Sequence, residues 1–205
     1  MKTYQAIIFL VMGIAGAITT NAQEAGEVRV NLNYAVGIPA GSFSSDAVNK
    51  TSYRGWTGNI LYGINDKISV GLGLGYQDFY QKYPRNVYKL SDGSDVSGVL
   101  SNSIQTVPVL ASVQYNFLPH HAIQPYAGVG VGGNLIMFRQ YIGEFESSRN
   151  SIGFAVRPEA GINIPVSPRF GFNVNGMYNY MPYNKDGINN LSSWGVGAGI
   201  RFSLQ

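Results

Sequence analysis

The sequence predicts an all-β fold: eight antiparallel strands closed into an up-and-down barrel that spans a membrane. Three observations predict it. Eight stretches alternate apolar and polar residues, long and short links alternate between those stretches, and the polar parity carries almost no charge. A β-strand sends successive side chains to opposite faces, so each stretch has one oily and one polar face.

The first strand, 27–38, sets Val28, Val30, Leu32, Tyr34, Val36 and Ile38 against Arg29, Asn31, Asn33, Ala35 and Gly37. The second covers 55–64. The third, 68–77, sets Ile68, Val70, Leu72, Leu74 and Tyr76 against Ser69, Gly71, Gly73, Gly75 and Gln77. The fourth, fifth and sixth cover 104–117, 123–136 and 152–164. The seventh, 170–180, sets Phe170, Phe172, Val174 and Tyr178 against Gly171, Asn173, Asn175 and Met177. The eighth, 192–203, sets Trp194, Val196, Ala198, Ile200 and Phe202 against Ser193, Gly195, Gly197, Gly199 and Arg201. Such lengths match the roughly ten residues a tilted strand needs to cross a bilayer.

Residues 65–67, 118–122 and 165–169 form short turns, whereas 39–54, 78–103, 137–151 and 181–191 form long loops. Outer-membrane barrels have short periplasmic turns and longer external loops, which places both termini in the periplasm. An even strand number lets the first and last strands pair and leaves the sheet without edges.

Residues 1–22 have the form of a signal peptide: Lys2, an apolar run from Ala6 to Ile18, then Thr20-Asn21-Ala22 as the cleavage site. Residues 23–205 are then one barrel domain. The chain has no cysteine, which excludes disulfides, thiolate metal sites, a cysteine nucleophile and a lipidated N-terminal cysteine. Charged residues make up 12% of the chain, about half the usual share for a soluble domain. A net charge of +3 is too weak a balance to point to nucleic acid as a partner.

Alternation alone does not say which face meets lipid, because a soluble barrel of the lipocalin type alternates with its apolar side inward. The polar parity decides. It is mostly Gly, Asn, Ser and Gln, with Arg29, Arg157, Glu159 and Arg201 as its charges and no Lys, whereas a water-facing exterior would be rich in Lys, Glu and Asp. Aromatic residues gather near the strand ends: Tyr62, Tyr115, Phe117, Phe170, Phe172 and Phe202 by the short turns, and Trp56, Tyr76, Phe154, Tyr178, Tyr180 and Trp194 by the long loops. This is the pattern of two interfacial girdles.

The segments Ile68-Ser-Val-Gly-Leu-Gly-Leu-Gly-Tyr76, Val107-Pro-Val-Leu-Ala-Ser-Val-Gln-Tyr115 and Gln124-Pro-Tyr-Ala-Gly-Val-Gly-Val-Gly132, with the final strand, carry a resemblance over residues 27–205. The chain resembles the small outer-membrane β-barrels typified by OmpX and the OmpA membrane domain, and is similar to the "porin family", or outer-membrane β-barrel domain, proteins of Bacteroidetes. The resemblance implies a Gram-negative cell envelope, surrounding outer-membrane lipids and lipopolysaccharide, and insertion by the barrel-assembly machinery, which reads the last strand. Gly197, Ile200 and Phe202 match that G-x-x-Φ-x-Φ signal, although Ser203-Leu204-Gln205 follow the aromatic.

Candidate chemistry is sparse, and neither catalytic residues, a metal site nor a cofactor is expected. Gly128-x-Gly130-x-x-Gly133 matches the dinucleotide fingerprint in letters, but it lies in a strand with no following helix to hold a pyrophosphate. His120 and His121 fall in a short turn, away from the serine and carboxylate a lipid-modifying enzyme would need. Arg29, Arg157, Glu159 and Arg201 share the inward parity. A buried charge must be paired or wetted, so the expectation is an interior network of salt bridges and amides, with Asn31, Asn163 and Asn173 contributing. The second long loop combines Phe79, Tyr80, Tyr83 and Tyr88 with Lys82, Arg85 and Lys89, a content suited to a protein, a glycan or lipopolysaccharide phosphates. Asp92-Gly93-Ser94-Asp95 hints at calcium, with two carboxylates as its whole support. The expected function is structural or surface-interactive, through the external loops. The alternatives are a narrow channel for small solutes and an accessory barrel of a secretion apparatus, similar to the PorT-like barrels.

Overall fold

A computed structural model describes residues 26–89, 95–142, 145–185 and 188–204. The expected signal peptide lies outside them, as do Asp92, Gly93 and Ser94 of the acidic loop motif. The elements are β1 (Val28–Pro39), α1 (Ser42–Asp46), β2 (Ser52–Gly63), β3 (Ile68–Lys89), β4 (Asp95–Asn116), β5 (Gln124–Ile142), β6 (Phe145–Ser167), β7 (Phe170–Asn179), β8 (Pro182–Lys185), β9 (Ile188–Asn190) and β10 (Ser193–Leu204). Eight strands close in the order β1-β10-β7-β6-β5-β4-β3-β2, and β8 and β9 form a separate two-stranded hairpin. Every neighbour in the ring is antiparallel, and β1 closes on β10 with Leu32 opposite Ile200.

The polar parity is inside. Arg29, Asn31, Asn33, Asn59, Gln114, Asn134, Asn173 and Asn175 are buried, whereas Leu32, Leu72, Val109, Val131, Val174 and Val196 are exposed. A monomeric protein in water rarely shows so continuous an apolar wall; hydrocarbon is the solvent that suits it. Rings rim the wall at both ends. Tyr115 packs edge-on against Phe117 and Phe170 meets Phe202 near the short turns, while Tyr178 lies 4.7 Å from Trp194 near the long loops.

Small residues let the wall close. A Cβ on Gly199 would run into the carbonyl oxygen of Leu32, and one on Gly71 into that of Ile60. These strands approach too closely for a side chain there. The short turn after β2 is set by Asn65, whose Oδ1 accepts from the backbone N–H groups of Lys67 (2.9 Å) and Ile68 (2.8 Å).

The long links are more ordered than their sequence suggests. The expected loop 78–103 is mostly strand, because β3 runs on to Lys89 and β4 begins at Asp95; the loop 137–151 is likewise taken up by β5 and β6. Together the four strands project past the barrel rim as one sheet, with Lys82 opposite Ser101, Ser101 opposite Tyr141, and Gln140 opposite Ser147. The period-two signal needs one oily face. Beyond Gln77 both faces carry polar residues, so the signal fades while the backbone ladder continues.

The first and last long links fold inward. Phe43, Ala47 and Val48, from α1 and the residues after it, pack with Met181, Ile188 and Leu191 against Phe79, Ile104, Leu110, Ile136 and Ala155 of the wall. Phe43 is fully buried and meets Phe79 edge-on at 4.9 Å. The long-loop end of the barrel is therefore closed by an apolar stopper.

Candidate functional site

Two regions bear on function: the charged lumen and the projecting sheet. Of the four charges, Arg29, Arg157 and Arg201 are buried and Glu159 is half-buried, and they fall into two groups. Arg29 and Arg201 lie near the short-turn end on neighbouring strands, Arg29 opposite Ser203 and Arg201 opposite Asn31. Arg157 and Glu159 lie two residues apart on β6, opposite Gly130 and Gly128. Glu27 is the carboxylate whose charge acts on both Arg29 and Arg201, and it lines a 10 Å³ cavity with Arg201 and Ser203. Sequence reasoning passed over Glu27, although the parity that selects Arg29 also selects the residue two before it.

The expected salt bridges are not closed within the lumen. Among the described residues the ion pairs within 4 Å are Arg54–Asp78 at 3.5 Å and His120–Asp66 at 3.7 Å, both elsewhere. The lumen charges are held by amides and a hydroxyl instead. Arg157 Nε donates to Asn179 Oδ1 at 2.7 Å, Arg201 Nη1 to Gln124 Oε1 at 3.0 Å, and Arg29 to Ser69 Oγ. Asn175 Nδ2 donates to Glu159 Oε2 at 3.5 Å, and Asn173 Nδ2 donates to Asn163 Oδ1 at 2.8 Å and to Tyr126 Oη at 3.1 Å. Amides serve here because the lumen is narrow: a side chain from one wall reaches a partner on another without a long ion-pair geometry.

Small cavities lie between them among the described residues. A 20 Å³ cavity lies under the stopper, lined by Gln77, Thr106, Arg157, Asn179 and Met181 among others, and a 10 Å³ cavity adjoins Asn59, Gln114 and Glu159. Each has room for about one water. Polar side chains line the lumen below, and apolar side chains pack across its mouth above.

The surface candidates divide. Phe79 is buried in the stopper and offers nothing to a partner, which corrects its expected place in an exposed loop. Tyr83 is half-buried and its hydroxyl donates to the carbonyl of Ala47 at 2.9 Å, tying β3 to the first long link. Tyr80, Lys82 and Arg85 are exposed on the projecting part of β3, and Arg54 adds a cation 5.7 Å over the Tyr80 ring. Tyr88 and Lys89 end β3, with side chains outside the described set. The residues of the proposed assembly signal sit on β10, with Gly197 turned inward beside Asn175 and Phe202 turned outward. His120 and His121 are exposed in their turn, and among the described residues no cluster of three or more His, Asp or Glu is placed to hold a metal.

Comparison with known proteins bears on the family and the fold. A family model described as "Outer membrane protein beta-barrel domain" matches residues 7–202. No curated protein matches the sequence. Among solved structures, the chain is similar to the outer membrane protein OprG of Pseudomonas aeruginosa, at 16% identity and a TM-score of 0.56, over 90% of this chain and 98% of that one. It is also similar to Neisserial surface protein A, at 19% identity and a TM-score of 0.51, over 90% of this chain and 99% of that one. A third is Ail, the attachment invasion locus protein of Yersinia pestis, solved with the heparin analogue sucrose octasulfate, at 19% identity and a TM-score of 0.50, over 88% of this chain and 100% of that one.

Proposed function

The chain belongs to the outer membrane protein β-barrel domain family, and we propose that within the outer membrane it is a closed, non-conducting barrel that meets other molecules through its projecting sheet. The observation that carries this reading is the division of the molecule. Its lumen is filled and stoppered, so transport has no path, while the four longest strands continue past the girdle into the space outside.

In this reading the short turns face the periplasm, as in other outer-membrane barrels. The signal peptide directs export, and Gly197, Ile200 and Phe202 serve insertion by the assembly machinery. The lumen charges stiffen the wall rather than select ions, because each is held by a neighbouring side chain. Tyr80, Lys82, Arg85 and Arg54 form the polar, aromatic face that the sheet presents above the lipid, and lipopolysaccharide phosphates are within the chemistry of its cations.

The test removes residues 83–100, which shortens the β3–β4 hairpin but spares Phe79 and Ile104 of the stopper. Cells displaying the shortened protein should carry the same amount of heat-resistant barrel, yet adhere less to surfaces coated with serum and matrix proteins. Unit conductance of the purified wild-type protein in planar bilayers would overturn the closed-barrel reading, and unchanged adhesion would overturn the role of the hairpin.

A further inference from the structure

The three short turns differ in the charge they carry. Residues 118–122 hold no Asp, Glu, Lys or Arg, and residues 165–169 hold Arg169 as their one charge. Residues 65–67 set Asp66 and Lys67 side by side, so both signs meet at one point of the short-turn rim. Both residues are exposed. Among the described residues, Asp66 has the His120 ring at 3.7 Å, and Lys67 has no carboxylate within 4 Å.

The backbone beneath these two charges is fixed. Asn65 Oδ1 accepts from the N–H groups of Lys67 at 2.9 Å and Ile68 at 2.8 Å. The Lys67 carbonyl accepts from the Asn116 N–H at 2.7 Å, which ties the turn to the end of β4. A ligand that meets Asp66 and Lys67 therefore orders two side chains and not a loop, which keeps the cost of binding low.

An open groove of about 370 Å³ adjoins the turn, lined by Asn65, Asp66, Lys67, Ile68 and Tyr115. Its volume falls within the roughly 300–1,000 Å³ of small-molecule sites. Ile68 and Tyr115 stand opposite each other on β3 and β4 and supply its apolar part. Tyr115 belongs to the short-turn girdle, where it packs edge-on against Phe117 at 5.2 Å. Such girdles sit at the level of the lipid headgroups. The groove thus has an apolar side at the hydrocarbon boundary and a charged side one step further into water.

The structure assigns this groove to the headgroup of a zwitterionic phospholipid with a primary amine, a phosphatidylethanolamine, in the leaflet that surrounds the short turns. The leaflet rests on the reading that those turns face the periplasm, where the lipid is phospholipid and not lipopolysaccharide. Charge complementarity selects the ligand. The Lys67 ammonium meets the phosphate, and the Asp66 carboxylate accepts from the lipid's own ammonium, which has three N–H donors. A choline headgroup offers that carboxylate no N–H. A glycerol headgroup brings the phosphate without a cation and sets an anion beside Asp66. Ile68 and Tyr115 then flank the first carbons below the phosphate.

Lipids that differ only in their headgroup give the test. The full-length protein in detergent micelles is mixed with palmitoyl-oleoyl phosphatidylethanolamine, phosphatidylcholine or phosphatidylglycerol, and bound lipid is measured by native mass spectrometry. The ethanolamine lipid should bind about two- to fivefold better than either other, the scale of an exposed ion pair. Asp66→Asn should abolish that preference, and Lys67→Gln should weaken all three lipids. Backbone amide shifts on titration should gather at Asn65–Ile68 and Tyr115, and not at 165–169. Equal binding of the three lipids to the wild type, an unchanged preference in Asp66→Asn, or shifts spread evenly over the three turns would overturn the proposal. The wild-type binding and the shift map decide it even if a variant fails to fold. Orientation is read separately. Labelling of Asp66→Cys in intact cells by a membrane-impermeant maleimide would overturn the periplasmic reading and the leaflet assigned with it, and would leave the headgroup preference in micelles standing.

Discussion

Phe43→Ala tests whether the stopper is one packed unit. Phe43 is fully buried, and its ring packs edge-on against Phe79 in the cluster that also holds Val48 and Leu191. Truncating a buried phenylalanine in a well-packed core costs about 3–5 kcal/mol, from lost transfer energy and the cavity left behind. The barrel wall does not depend on this ring, so the loss falls on the local equilibrium in which α1 leaves the mouth rather than on global unfolding. The backbone N–H groups of Ala47 and Val48 both donate to the Phe43 carbonyl, at 3.3 and 3.0 Å, and they report that opening. At about 1.4 kcal/mol per factor of ten, their hydrogen exchange should quicken by ~100-fold or more. Amides of β1 and β10 in the same molecule should be unchanged. Exchange at Ala47 and Val48 within about threefold of wild type would mean that α1 is not held by this contact, and the argument for a stoppered mouth would fail with it.

Two further outcomes follow from the wall and the lumen. Leu72→Arg places a charge on the outward parity in the middle of the membrane-crossing part of β3, residues 68–77, where it should lower unfolding free energy in lipid vesicles by about 2–4 kcal/mol, measured by urea titration; no loss would mean that this face does not meet hydrocarbon. Glu159→Gln removes the carboxylate that balances Arg157 and accepts from Asn175, and should lower the unfolding temperature in detergent, with a cost on the order of 1–3 kcal/mol; an unchanged temperature would show that Arg157 is satisfied by Asn179 alone.

The fold was legible in the sequence wherever one solvent differed from the other. Between the girdles, lipid outside and a cramped polar lumen inside impose opposite demands on alternate residues, and Leu32 beside Asn33 records both. Past the rim the contrast disappears on one side. Phe79 and Ile104 still turn inward and still belong to strands, but their partners come from Phe43, Val48, Met181 and Leu191, residues far away in sequence whose packing no local period reveals. For the same reason a set of aromatic and cationic residues in one presumed loop resolved into three environments: Phe79 buried, Tyr83 half-buried and bonded, Tyr80 with Lys82 and Arg85 in the open. Among the lumen residues, parity identified the charges but not their partners, because a cross-barrel bond such as Arg201 to Gln124 depends on strand tilt and register, which composition does not encode.

These two halves of the molecule also explain each other. A narrow barrel with amides lining it would admit water at both ends, and three guanidinium groups held by neutral partners tolerate that well. Closing the outer mouth with apolar side chains needs a platform beyond the girdle on which to seat them. The extended β3–β6 sheet supplies it through Phe79, Ile104, Ile136 and Ala155. The same extension that seals the lumen therefore creates a sheet with edges, which a closed barrel otherwise abolishes. One edge is occupied by the link that carries Phe43 into the mouth. The other, at β6, is flanked by the link that carries Met181 and Ile188 into the same stopper, with Tyr180 bridged to Val156 and the Tyr183 hydroxyl 3.5 Å from Ser151 Oγ, so the two links that close the mouth also lie along the two edges of the sheet.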